Sequence, residues 1–69
     1  MNRDIRKGDF ILIIDSMEYH YLEIGYISNI ECDIDGNIEF YEVTFKSGVV
    51  KYVAWELRNV CNILTFSDR

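Results

Sequence analysis

The stretch DFILIID, residues 9–15, sets five large apolar side chains in a row, Phe10 to Ile14, between two aspartates. The run is too short to cross a bilayer and has the length of a strand. Successive strand side chains point to opposite faces. In an antiparallel sheet of a small domain one face normally meets water, so its strands alternate apolar with polar. This strand is apolar on both faces, and the second face needs either a cover or a use.

The rest of the composition agrees with a sheet. Ten isoleucines and five valines stand against four leucines and one alanine, with ten aromatic residues. β-Branched and aromatic side chains suit a pleated surface and are poorer helix formers. Sixty-nine residues make one domain, 1–69, with a core expected from about residue 6 to residue 65. A chain of this length buries only about 60% of its unfolded surface, so that core is small. The expectation is an all-β domain with no room for separate cofactor and substrate domains, and no cofactor is expected.

The opening MNRDIRKGD has no apolar run before a cleavage site, and no segment is long enough to span a membrane. A cytoplasmic protein without membrane contact is expected. Cys32 and Cys61 form no CxxC pair and are expected as reduced, buried thiols, a disulfide being the alternative.

The net charge is −5, unevenly spread: from Gly8 to Phe45 there is no lysine or arginine but nine acids. Such a field repels phosphate backbones and attracts basic surfaces. Direct nucleic-acid binding normally shows a basic patch, so a protein partner with a basic surface is the better expectation. A charge of this size also serves solubility alone.

Gly8 precedes the first strand, residues 9–15. SMEYHYLEIG, residues 16–25, reads as a loop turning into a second strand that continues through GYISNIEC. Asp35-Gly36 signals a hairpin whose two central residues take positive φ. NIEFYEVTFK gives a third strand with Tyr41, Val43 and Phe45 on one face. Ser47-Gly48 is a second tight turn, VVKYV a fourth strand, AWELRN at 54–59 a single helical turn, and VCNIL a fifth strand. Leu57, Val60, Cys61 and Leu64 also fit one helix over 54–64; the turn followed by a strand is preferred, because a lone helix would need a groove of its own.

KGDFILII, GYISNI, YEVTFKSG and VAWELRNV together resemble the small SH3-like barrels of the Tudor, KOW and photosystem-I-subunit-E group, over about residues 6–62. The resemblance implies a five-stranded SH3-like barrel with a short helical turn before the last strand. It says little of function, because this fold hosts unrelated ones. KOW domains are usually basic and this chain is acidic. Tudor-type barrels hold methylated lysine or arginine in an aromatic cage, for which Tyr19, Tyr21, Tyr26, Tyr52 and Trp55 are available; the plainer expectation is that Trp55 plugs the barrel end and the tyrosines lie half exposed. In the barrel, Ile11 and Ile13 point inward, and Phe10, Leu12 and Ile14 outward. Ile34, Ile38 and Phe40 of the long hairpin, or the C-terminal ILTF, are the candidates to cover that outer trio.

The motifs of chemistry are missing. His20 has no metal-ligand spacing to either cysteine and no paired nucleophile, and is expected as a solvated loop residue. DIDGNIE puts Gly36 at the fourth position of a loop whose calcium form needs it at the sixth, so no metal is expected. KSGVVK lacks the phosphate-loop frame. No pair among twelve scattered acids stands out for acid–base work. The leading expectation is a non-catalytic module that binds a protein through Glu18, Tyr19, Tyr21, Glu23, Glu31, Asp33, Asp35 and Glu39. In style the chain resembles small acidic phage-type inhibitors, anti-CRISPR proteins among them, whose carboxylates stand where phosphates would sit in a nucleic-acid-handling enzyme. The alternatives are an accessory subunit or homo-oligomer using the apolar patch Phe10, Leu12 and Ile14, and a Tudor- or KOW-like reader of modified peptide or nucleic acid.

Overall fold

The computed structural model describes residues 4–64. The domain ends at 1–3 and 65–69, including Thr65 and Phe66 of the expected C-terminal cover, lie outside the described residues. Five strands, β1 (Phe10–Ile13), β2 (Ile24–Cys32), β3 (Ile38–Phe45), β4 (Gly48–Val53) and β5 (Cys61–Leu64), form one antiparallel sheet in the order β4-β3-β2-β1-β5. A short helix, α1 (Ala54–Val60), carries the chain from β4 at one edge to β5 at the other. Among the described residues β4 and β5 do not pair, so the ladder is an open sheet.

The helical turn expected at 54–59 is present as α1 and gives way to a strand, one residue later than expected. Ala54, Leu57 and Val60 are buried on one side of α1. Cys61 is already extended and opens β5 opposite Ile13. A seven-residue helix is marginal in isolation; three buried side chains on the sheet hold this one. Arg58 adds a guanidinium 5.9 Å from the ring of the fully buried Tyr41.

The core lies on the inner face of the sheet. Ile11 and Ile13 of β1, Ile27 of β2, Tyr41 and Val43 of β3 and Leu57 of α1 are its largest fully buried side chains. Ile27 and Ile30 both turn inward although three residues apart, which strict alternation forbids. A register shift between Ile27 and Asn29 absorbs the extra residue, Ser28. The Ser28 hydroxyl donates to the Glu42 carbonyl at 3.1 Å and accepts from the Thr44 hydroxyl at 3.0 Å, so the bulge is tied down.

Gly25 is the tightest point of the sheet. A Cβ there would run into Val43 Cγ1 and stand 2.9 Å from Phe45 Cε1. The missing side chain lets Phe45 lie directly over β2.

The long hairpin differs from the sequence expectation. Its loop is the five residues 33–37, and only Gly36 takes positive φ, at 86°. Asp33 replaces the two-residue turn: its Oδ1 accepts the amides of Asp35 and Asn37, both at 2.9 Å. A short polar side chain that satisfies backbone donors makes the longer loop stable. The hairpin does not fold back over β1. Ile34 is 99% exposed at its tip, Ile38 packs against the core, and Phe40 lies beneath Lys51, whose Nζ is 5.6 Å from the ring.

Gly25→Ala is expected to cost about 1–3 kcal/mol through overpacking, read as a lowered urea midpoint with an unchanged m value. Ile11→Ala is expected to cost about 2–5 kcal/mol, a large part of the roughly 3–10 kcal/mol available to a domain of this size. Leu12→Ala on the outer face should cost well under half as much.

Candidate functional site

The β1–β2 loop, residues 14–23, is folded by its own backbone. Glu18 N donates to Asp15 O at 3.0 Å, Tyr21 N to Glu18 O at 3.1 Å and Glu23 N to His20 O at 2.9 Å. Asp15 Oδ1 takes the Met17 amide at 2.9 Å. Leu22 closes the loop with φ at 65°, a conformation costly for a bulky residue, while its amide bonds Ile13 O at 2.8 Å.

This winding turns His20 inward, which corrects the expectation of a solvated histidine. The ring is buried and stacks on Phe45 with centroids 4.0 Å apart and planes 5° from parallel. Tyr19 meets it edge-on at 4.9 Å, and its Nδ1 lies 3.0 Å from Glu23 Oε1. The room comes from Gly25, which seats Phe45 where the loop folds over. His20 therefore anchors the loop, and Glu23, expected to face a partner, is partly engaged inside it. Among the described residues no group of histidine, cysteine, aspartate or glutamate could hold a metal ion.

The loop reaches α1 through Glu18 and Glu56. Partial burial, then the neighbouring Glu56 and Asp15 charges, push the Glu18 carboxyl up, and a side-chain hydrogen bond to Glu56 adds to it. Tyr52 closes the group from β4; burial first, then Glu18, Glu56 and Glu23, push its hydroxyl up to about 12. Tyr19 is 90% exposed and Tyr21 partly exposed on the outside of the loop. Trp55 corrects another expectation. It does not plug the sheet but lies 66% exposed on α1, because Ala54 and Leu57 already take the helix positions that face the core.

The second group of expected site residues lies at the other end of β2. Glu31 pairs with Lys51 of β4 at 3.0 Å on the surface. Asp33 is occupied as the turn staple. Asp35 and Glu39 present their carboxylates to solvent. The set of six carboxylates and two tyrosines named from the sequence is thus two groups, one at each end of a nine-residue strand, up to about 27 Å apart along its length.

Between them lies the outer face of the sheet. Phe10 pairs with Tyr26 and Leu64, and Leu12 with Ile24 and Asn62. Ile24 is 55% exposed, Ile14 43%, and Phe10 and Tyr26 each 40%, the last two with ring centroids 5.1 Å apart. Of the residues expected to form an apolar patch, Phe10 and Ile14 are exposed and Leu12 is half-buried between Ile24 and Asn62, with Ile24 and Tyr26 exposed beside them. Beside Ile24, an open depression of about 480 Å³ is lined by Leu22, Glu23, Lys46 and Ser47. Tyr26 and Ile24 were legible as apolar in the sequence, but only the register places them next to β1.

Both cysteines are free thiols, Cys61 half-buried and Cys32 exposed, which corrects the expectation of burial for Cys32. Cys32 ends β2 past a second register shift, beyond the core. Burial pushes the Cys61 thiol up to about 11. Comparison with protein-family models, curated proteins and solved structures found no match to this chain. No helix among the described residues is long and apolar enough to cross a membrane.

Cys61 and Tyr52 together set a pH dependence. Both protons leave the unfolded chain near their ordinary values of 9 and 10 but stay on the folded chain to about 11 and 12. Above pH 9 the unfolded state binds fewer protons, so stability falls as pH rises. The stability they confer is complete below about pH 9 and lost by about pH 12. Urea melts across that range should show the decline, and Tyr52→Phe should remove its upper part, from about pH 10 to 12. A flat profile would contradict the burial of both groups.

Proposed function

We propose that this chain is a non-catalytic binding module with an SH3-like arrangement, acting in the cytoplasm on a protein partner that presents a basic surface. The β4-β3-β2-β1-β5 order, with a helical turn between β4 and β5, supports the SH3-like reading. The observation that carries the functional reading is the placement of carboxylates at both ends of β2 in a region with no lysine or arginine from Gly8 to Phe45. Two acidic ends separated along one strand can span a basic groove that normally holds a phosphate backbone. Inhibition of a nucleic-acid-handling enzyme by occupying such a groove is the specific form of the proposal, and the acids make direct nucleic-acid binding a poor alternative.

The carboxylates differ in what their removal tests. Asp33→Lys would break the turn along with any contact, and Glu31→Lys would lose the Lys51 pair. Asp35→Lys with Glu39→Lys leaves those bonds in place. Capture of partners on the tagged protein, after nuclease treatment, is expected to yield a protein released at 1 M salt, where the Debye length is about 3 Å. The Asp35→Lys/Glu39→Lys variant should lose it at low salt. Retention by the variant, or capture that nuclease abolishes, would overturn the proposal. Capture only of the chain itself, insensitive to salt, would instead mean self-assembly through the outer apolar face.

A further inference from the structure

We infer that a single proton, shared between the carboxyl groups of Glu18 and Glu56, latches the β1–β2 loop to α1. The loop is held more tightly in acid and loosened toward neutral pH. Opening it exposes the His20 ring and the Phe45 ring beneath.

The chemistry of the contact requires the proton. An ionised carboxylate accepts hydrogen bonds and has none to donate. Two carboxyl groups in hydrogen-bond contact therefore hold one proton between them, and once both are ionised the same contact repels. Glu18 and Glu56 make this contact between the loop and the first turn of α1, and both side chains are half-buried.

The surroundings favour the protonated form. Asp15 adds a negative charge from the start of the loop. The Tyr52 hydroxyl faces the pair from β4, with Glu23 of the loop and Cys61 of β5 acting on it as well. Against them stands His20, which favours the ionised Glu18, but its Nδ1 is turned to Glu23 Oε1 at 3.0 Å. Burial first, then the Glu56 and Asp15 charges, raise the Glu18 carboxyl above its ordinary value of 4.5. A group more easily protonated in the closed loop stabilises closure fully below that ordinary value. The contribution is lost as pH climbs through the raised one.

The loop is poised to respond to so small a change. Its turns, Glu18 N to Asp15 O, Tyr21 N to Glu18 O and Glu23 N to His20 O, close within the loop and survive its opening. The sheet holds it through the His20 stack on Phe45, through Leu22 N donating to Ile13 O at 2.8 Å and through Ile13 N donating to Glu23 O at 3.1 Å. Against these works Leu22, whose φ of 65° is a strain that opening relieves. One strained residue and one hydrogen bond are comparable in size, so the proton shifts the balance.

Amide hydrogen exchange of the full chain at pH 4.5 and pH 7.0, corrected for the intrinsic pH dependence of exchange, reads the latch at the Leu22 amide. Its protection is expected to fall by about two- to tenfold between the two, the population shift worth one hydrogen bond. Amides in the middle of β3 should keep theirs. Glu18→Gln supplies a carboxamide that donates to Glu56 with no added proton, so the variant should be as protected at pH 7.0 as the parent chain at pH 4.5. Glu56→Gln should do the same from the other side. Both variants leave the His20–Glu23 pair in place, so a pH dependence that survives in them belongs to that pair and would overturn the inference. Leu22 protection that is flat with pH in the parent chain, or a fall shared equally by β3, would overturn it too. So would glutamine variants less protected than the parent chain at both pH values.

Discussion

A four-residue strand with ladders on both sides holds the domain together. Among the described residues β5 enters the sheet only by pairing with β1, and α1 reaches the sheet between β4 and β5. The inner side of β1 supplies Ile11 and Ile13, both fully buried, to the same core that receives Leu57 and Val60 from α1. Backbone pairing and core packing therefore meet on four residues, and the last strand and the helix depend on them. A domain this small has no second core to fall back on.

The same pairing frees the other side of β1 for a different use. Fixing Ile11 and Ile13 inward forces Phe10 and Leu12 outward, whatever lies there. The long hairpin could have covered them, but its bulge and the Asp33 loop carry Ile34 into solvent at its tip. Meanwhile Gly25 lets Phe45 close down on β2, His20 stacks on Phe45, and the β1–β2 loop is pinned beside the exposed face rather than across it. An exposed apolar patch of this kind, rimmed by charge, is characteristic of an interaction surface.

Much of the fold was legible because local rules and global packing agree. The alternation of Tyr41, Val43 and Phe45, the Gly48 turn and the helical turn expected at 54–59 all led to the elements observed. The inward and outward sides of β1 also followed from simple period-two reasoning. The misses share a cause, in that each was decided by a contact distant in sequence. His20 is buried because Phe45, 25 positions on, lies open above Gly25, and nothing near residue 20 signals that. Trp55 is exposed because Ala54 and Leu57, smaller and less conspicuous, take the inner helix positions. The carboxylates looked like one surface in a list, but β2 holds them at its two ends, and only a strand's length tells one patch from two. Asp33 was expected to face a partner, whereas its side chain closes the turn, accepting the amides of Asp35 and Asn37. Closure of the sheet into a barrel was implied by resemblance alone, and the hydrogen-bonded ladder stays open from β4 to β5.

The central claim is that β1 is buried on one side and open to solvent on the other. Methyl-resolved NMR of the full chain with a soluble gadolinium chelate reads this directly, because the chelate broadens methyl signals in proportion to their exposure. The account predicts strong broadening of Ile14 and Ile24, weaker broadening of the half-buried Leu12, and protection of Ile11, Ile13 and Ile27, unchanged on dilution. Equal protection of both sets would show that the outer face is covered, by the chain itself if dilution changes nothing and by a second copy if dilution exposes it, and either result would contradict the account.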